Sequence, residues 1–374
     1  MKKLVAITTL ACLAVLASCS RNPIYADRSS EPQTQFDFNG HCATMCRSSL
    51  QKYAFENYGP KRFKAWQKKF RAELKDALGV SIIEQQLKGY KPTLEQIDSE
   101  DLGFAVRERW QIWTEPDVNI PFIMIRPKTV EGKVPLVITP HGHGKNTEQY
   151  AGVYVSPEDS ISAVDGQRNM AYLFAQQGFI TITPAARGFA GTMIDEDSED
   201  VSCCALLMCR DALVGRTPVG DRVWDIMKIL DWALAELPVD ENKVIVTGNS
   251  GGGTQSVYAG AIDTRISICM PASSFSSYEA SIGVQEHCAC NYVPGVMNLG
   301  DMGDVLGLVA PRPLCLIQGK DDPIFPVEGA KEQFETIRKV YEAAGVPDNC
   351  ELYIGPEGHR YYFDGADAFV QKHL

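Results

Sequence analysis

The stretch Gly248-Asn249-Ser250-Gly251-Gly252 sets a serine between small residues, with the apolar run Val244 to Thr247 before it and a helix-forming segment, Gly253 to Ala261, after it. A strand, a sharp turn and a helix around G-x-S-x-G make a nucleophile elbow. The strained turn lifts the hydroxyl above the sheet and leaves no space for side chains two residues to either side. It also aims the Gly251 amide, at a helix start, at developing negative charge. Serine is a weak nucleophile at neutral pH and needs a base held by an acid.

Both partners follow strand-like runs downstream. Leu314 to Gln318 leads into Gly319-Lys320-Asp321-Asp322-Pro323-Ile324-Phe325-Pro326, and Glu351 to Ile354 leads into Gly355-Pro356-Glu357-Gly358-His359. Asp322 and His359 therefore read as acid and base, in the chain order serine, acid, histidine. Asp321 is the competing acid, expected instead to be a solvated turn residue. His373 is the competing histidine, expected in a frayed terminus.

Acyl transfer also needs donors for a tetrahedral oxyanion. Thr139-Pro140-His141-Gly142-His143-Gly144 follows the apolar run Val134 to Thr139, so the backbone amides of His143 and Gly251 are assigned to that task. His141 and His143 have an H-x-H spacing that metal sites use, yet no third ligand stands close in sequence. The reading is that neither metal nor cofactor takes part. Arg187-Gly188, past the strand Phe179 to Thr183, is expected to form a structural ion pair with Asp221 or Asp225.

These residues need a scaffold. Phe104 to Thr114 and Asn119 to Arg126 read as strands joined by the turn Glu115-Pro116-Asp117. Then Val134 to Thr139, Phe179 to Thr183, Val244 to Thr247, Ile266 to Met270, Leu314 to Gln318 and Glu351 to Ile354 alternate with helices at Gln167 to Gln177, Asp221 to Leu237 and Glu328 to Ala344. That alternation predicts an α/β fold, a mostly parallel central sheet with helices on both faces. Ahead of it, Ala43 to Leu78 carries Tyr53, Phe63, Trp66, Phe70, Leu74 and Leu78 at helical spacing, a flank whose aromatic stripe is for packing.

The N-terminus reads as an address. Lys2 and Lys3 precede an apolar run from Leu4 to Leu16 that ends in Leu16-Ala17-Ser18-Cys19, a lipobox in which Cys19 would carry lipid. Residues 1–18 are then a signal peptide, 19–39 a flexible tether, and 40–374 the folded domain with a helical extension over about 40–90. Cleavage removes two lysines and no acids, so the formal net charge moves from −11 to −13. Such a charge excludes nucleic acid and anionic lipid as electrostatic partners, leaving the membrane to the lipid anchor alone. Export to the bacterial envelope, with the outer membrane the expected site, permits disulfides. Ten of the twelve cysteines remain after Cys12 and Cys19 are set aside. Cys42/Cys46 and Cys288/Cys290 lack the doubled spacing of zinc motifs, and Cys203, Cys204 and Cys209 share one loop. Local disulfides or buried thiols are the reading.

With these motifs in place, the chain resembles acetyl xylan esterase-like α/β-hydrolases, relatives of dienelactone hydrolases, in an exported lipoprotein form. The resemblance runs from about Ala43 to the C-terminus through the Trp66 helix, Thr114-Glu115-Pro116, His141 to Gly144, Arg187-Gly188, Asp221-Arg222-Val223-Trp224-Asp225, the elbow, Asp322 and Gly358-His359-Arg360. His287-Cys288-Ala289-Cys290-Asn291-Tyr292 also resembles exported members and lies where an insertion overhangs the pocket. The resemblance implies an α/β-hydrolase fold and a serine carboxylic-ester hydrolase working through an acyl-enzyme on a carbohydrate ester. One departure is that members of the cephalosporin deacetylase type often carry Gln after the nucleophile, where Gly251 stands here. Two alternatives remain: a prolyl oligopeptidase-type serine peptidase, for which the roughly ninety residues ahead of the sheet are too few to build a propeller, and a non-catalytic carbohydrate-binding lipoprotein.

Overall fold

The computed structural model describes residues 37–143, 146–189, 192 and 203–374. Cys19, with the signal peptide and all of the tether but Asp37 to Asn39, lies outside the described residues, as does Gly144. The chain divides into two units, Met1–His41 and Cys42–Leu374. Of the first, Asp37 to His41 are described and open the helix Phe38–Arg47. The second holds the sheet and every candidate catalytic residue.

One nine-stranded sheet organises it, in the order β1-β2-β3-β5-β4-β6-β7-β8-β9. The first three, β1 (Thr93–Asp101), β2 (Ala105–Glu115) and β3 (Val118–Pro127), form an antiparallel meander, and β3 pairs antiparallel with β5 (Ile180–Pro184). From there β4 (Val134–Ile138), β6 (Val239–Asn249), β7 (Ile268–Ala272), β8 (Leu314–Gly319) and β9 (Cys350–Gly355) run parallel. The parallel strands read as apolar runs because both faces are covered. β4 sends its next connection to β5 on one side, while β6 lies on the other. That reversal opens a crevice at the strands' carboxyl ends, where ligands bind in open α/β sheets.

The helices that frame the sheet and its crevice include Met170–Gln176, α1 (Phe63–Ala77), α2 (Cys203–Leu213), α3 (Pro218–Glu236), α4 (Gly251–Ile262), α5 (Val327–Ala344) and α6 (Phe363–His373). In α1, Phe63, Trp66, Phe70 and Leu74 fall on one face and are buried, each contributing about 1.5–3 kcal/mol of apolar burial. The expected packing role of that stripe holds. Its expected continuity does not: the chain turns at Gln51 and Gly59, both with positive φ, and Pro60 follows, so Ala43 to Leu78 is two helices rather than one. Three further elements differ from expectation. β1 is almost wholly exposed and polar, an edge strand held by backbone pairing that apolar patterning cannot register. Cys203, Cys204 and Cys209 lie on helix α2 rather than in a loop. His373 belongs to α6, with its ring 4.3 Å from that of Phe369, and is not frayed. Among the described residues no helix is long and apolar enough to cross a membrane.

Behind the crevice lies a buried ionic knot. Arg187 donates to Asp225 Oδ2 at 2.8 Å and Oδ1 at 2.6 Å, to Asp221 at 3.1 Å and to Glu115 at 2.5 Å. Arg216 adds bonds to Glu115 and Asp221. The expected ion pair is thus a network that takes in both aspartates. Burial opposes the Arg187 charge, but the surrounding carboxylates prevail and hold it far above the ordinary arginine value. Removing one partner of such a group strands the others. Arg187→Met should cost about 3–5 kcal/mol of stability in urea unfolding, whereas loss of less than about 1 kcal/mol would mean the carboxylates find other partners.

Candidate active site

The proposed site residues all stand on loops that leave the carboxyl edge of the sheet. Ser250 follows β6 and caps α4 with φ 58° and ψ −120°, a conformation L-residues avoid and one that costs about 1–3 kcal/mol. Its amide donates to the Ala272 carbonyl at 2.9 Å, so the neighbouring strand β7 holds the turn in place. A side chain on Gly248 or Gly252 would overlap the Pro140 carbonyl oxygen, which explains both glycines of the elbow. All twelve residues of α4 are buried, and the helix directs its positive end at the space above Ser250.

The structure brings the candidate acid and base together. His359 Nδ1 is 2.8 Å from Asp322 Oδ2. A carboxylate only accepts, so the proton on this bond belongs to Nδ1, and Nε2 of the neutral ring is left as the basic nitrogen. Asp322 is buried and well supplied with donors. The Ile324 and Phe325 amides reach Oδ1 at 2.9 and 3.1 Å, and Gln318 Nε2 reaches Oδ2 at 3.2 Å. Burial alone would raise its pKa; the His359 contact and the two amides outweigh this and hold it below the usual carboxylate value. Asp321, by contrast, is exposed and lies 3.8 Å from Lys320 Nζ. The tight turn after β8 separates the two roles.

The loop after β4 presses against the elbow. A side chain on Gly142 would come within 3.3 Å of Ser250 Cβ and 3.4 Å of the Gly251 nitrogen. The His143 and Gly251 backbones are therefore neighbours beside the serine, the arrangement expected of oxyanion donors. Sequence reasoning missed the residues that fix this loop. Gln255, one turn into α4, donates from Nε2 to the His141 carbonyl at 3.0 Å. Tyr150 is fully buried, and its hydroxyl hydrogen-bonds to the backbone of Asn249 and Gly142; burial pushes its pKa up to about 12. His141 accepts from the Ala186 amide at Nε2, 3.0 Å, and burial pulls its pKa down to about 4, so the ring is neutral. Gln255 and Tyr150 sit in no motif, and the motif that holds His141 does not show its bond to the Ala186 amide, so only the folded chain reveals these contacts.

The insertion after β7 overhangs the site. His287 packs edge-on against Phe325 at 5.4 Å, and Phe325 stacks on His359 at 6.3 Å. Phe325 also lines a small pocket with Thr254, Tyr258, Ser274, Tyr278 and Asn291 among others. The cysteines give the main surprise. The sequence offers no third ligand near His141 and His143, but the fold brings Cys204, Cys288 and Cys290 to His143. The ten cysteines of the described residues are all thiols.

A sheet of this order, with an elbow serine after β6 and an acid–histidine pair after β8 and β9, is the α/β-hydrolase arrangement. The chain belongs to the Abhydrolase family, whose sequence model matches residues 21–276, and it is a hydrolase. YtaP of Bacillus subtilis strain 168, provisionally named a hydrolase, is 24% identical over 282 residues, covering 73% of this chain and 91% of that one. The 4-O-methyl-glucuronoyl methylesterase 1 of Wolfiporia cocos strain MD-104 is 28% identical over 184 residues, 41% of this chain and 45% of the fungal protein. In solved structures, a protein of Bacteroides fragilis NCTC 9343 provisionally named an acetyl xylan esterase has the same fold, with a TM-score of 0.69, 20% identity and coverage of 88% and 84%.

The two aspartates separate in a simple experiment. Asp322→Asn should lower kcat by about 10⁴-fold, because the amide turns His359 into the wrong tautomer, while Asp321→Asn should change it by less than about twofold. The reverse pattern would reassign the acid.

Proposed function

We propose that the protein is a serine carboxylic-ester hydrolase that removes a small acyl group from a carbohydrate through an acyl-enzyme. The observation that carries this reading is the Asp322–His359 bond at the same sheet edge as the strained elbow serine. His359 Nε2 takes the Ser250 proton as Oγ attacks the ester carbonyl. The amides of Gly251 and His143 receive the oxyanion, each contributing about 10²–10³ in rate. His359 then protonates the departing alcohol. Water, deprotonated by the same ring, attacks the acyl-enzyme and releases the acid. Asp322 keeps the ring oriented and stabilises its positive charge. The mechanism uses no cofactor.

Three facts favour a small acyl group on a sugar. The pocket lined by Phe325 and Tyr278, next to the ring that stacks on His359, has space for only a small group. Curated and structural relatives include esterases acting on xylan and glucuronoyl esters. The negative net charge suits a neutral ester better than an anionic polymer.

The deciding assay offers the mature chain an aryl acetate, an aryl butyrate, acetylated xylan and a methyl ester of glucuronic acid, beside Ser250→Ala. Turnover of acetate and xylan, with butyrate slower by about tenfold or more and all activity lost in the variant, is the expected result. Preference for the methyl glucuronate would move the substrate to uronic acid esters. No turnover, and no labelling of Ser250 by a fluorophosphonate, would end the hydrolytic reading and favour a binding role.

We further propose that Cys19 is lipidated and anchors the chain in the bacterial envelope, at the outer membrane. The basis is the basic start, the apolar run and the Leu16-Ala17-Ser18-Cys19 sequence. Cells given a labelled fatty acid should mark the wild-type chain and not Cys19→Ala, which should be released by washing. Equal labelling of both would place the lipid elsewhere.

A further inference from the structure

We infer that His143, Cys204, Cys288 and Cys290 form a four-ligand zinc site that clamps the oxyanion loop to helix α2 and to the insertion after β7. The inference about position rests on the hydrolase reading above; the metal site itself does not.

The four ligand atoms, one imidazole nitrogen and three sulfurs, all lie within 4.8 Å of one another. Zinc bonds of about 2.3 Å to sulfur and about 2.0–2.1 Å to nitrogen give tetrahedral edges of about 3.8 Å between sulfurs and about 3.5 Å between sulfur and nitrogen. Cys290 Sγ is 3.5 Å from His143 Nε2 and 3.2 Å from Cys288 Sγ, and the 4.8 Å bound on the remaining pairs lies within about 1 Å of the tetrahedral edges. The ligands come from three separate segments, the loop after β4, the first turn of α2 and the insertion, and their convergence has no source in local sequence.

The surroundings fit a thiolate-bound cation. Three thiolates and one Zn²⁺ carry a net charge of −1. Arg222 is fully buried, and among the described residues no carboxylate lies within ion-pair distance of it. Its guanidinium donates to the Arg187 carbonyl at 3.0 and 2.6 Å and lies 3.7 Å from Cys204 Sγ, while Nη1 has no partner. Burying a cation costs several kcal/mol, and a metal–thiolate anion 3.7 Å away at Cys204 Sγ would offset part of that cost. Phe189 roofs the group, its ring 4.6 Å from the guanidinium and 4.8 Å from the His143 ring. Ala186 and Phe189 complete an apolar pocket around Cys204 and Cys290. A soft donor set of three sulfurs and one nitrogen selects zinc among the common divalent ions.

Gly251 explains why His143 can turn toward the thiols. A side chain at that position would stand 3.3 Å from His143 Nδ1, so the glycine after the nucleophile makes space for the imidazole. Four protein ligands fill the tetrahedron and leave no open position for water, so the metal is structural and Ser250 remains the nucleophile. Its effect on the reaction is positioning: the residue whose side chain binds zinc is the residue whose amide is assigned to the oxyanion.

The test is zinc content of the mature chain purified without chelator. About one zinc per chain is expected, falling below about a tenth in Cys290→Ser and Cys204→Ser, and unchanged in Cys209→Ser, which removes an exposed thiol of the same helix. Ser250→Ala should keep its zinc while losing activity, which separates the metal site from the hydrolase reading. Because a ligand variant may fail to fold, the wild type is also exchanged into cobalt. Intense thiolate-to-metal absorption with tetrahedral visible bands is the expected outcome. The inference is overturned if the wild type neither contains zinc nor takes it up from buffered zinc solution. It is equally overturned if a disulfide joins two of the three cysteines in the native chain.

Discussion

The Pro140 carbonyl oxygen, lodged against the elbow where any side chain on Gly248 or Gly252 would collide with it, is the contact on which the rest of the site depends. It makes the end of β4 and the turn after β6 a single object. Strand pairing sets the first approximation, with Ile138 opposite Val246 and Asn249 opposite Ala272. Gln255 and Tyr150 then tie the oxyanion loop to the nucleophile helix. The strain at Ser250 persists because this surrounding structure over-determines the turn. A hydroxyl raised on a strained bend, with a helix start beneath it, is poised for charge that develops only during reaction.

Charge is handled in two layers behind that contact. The Arg187 side chain gathers Asp221, Asp225 and Glu115, joining β2 to α3, while its carbonyl receives the Arg222 guanidinium. One residue therefore links a carboxylate network to the thiol cluster. Buried ion pairs are weak evidence of net stability, since desolvation offsets most of their attraction. Their contribution here is geometric: they fix the loop after β5, and with it Phe189, whose ring faces both His141 and His143.

The candidate catalytic residues and the parallel core are readable from sequence because both leave local signatures. G-x-S-x-G needs its glycines for close packing, and each parallel strand must be apolar on both faces. The sequence favours Asp322 over Asp321, yet only the turn after β8, with two amides on one carboxylate oxygen, gives the physical reason. Features that tertiary contact alone creates are not legible. β1 pairs by backbone while its side chains face water, so it has no apolar period. Helix α4, buried on every side, shows no amphipathic face and is legible only through the elbow motif ahead of it. The thiol cluster leaves no complete motif because His143, Cys204 and the Cys288/Cys290 pair are far apart in the chain, which is no guide to their distance in the fold.

The same cluster bears on how the site keeps its shape. An oxyanion amide misplaced by about 1 Å can cost about 10² in rate, and loops are the most mobile parts of such folds. The loop after β4 is held from below by Pro140, Gln255 and Tyr150, all on the sheet side. Its outer side carries the His143 imidazole, and the groups that meet it there come from α2 and the insertion. A single strong attachment at that point would oppose outward motion, which the contacts from below cannot do. The insertion also places His287 over Phe325 and so over His359. Fixing it to His143 would therefore set the donor loop and the cover over the base in one step, from two parts of the chain almost 150 residues apart.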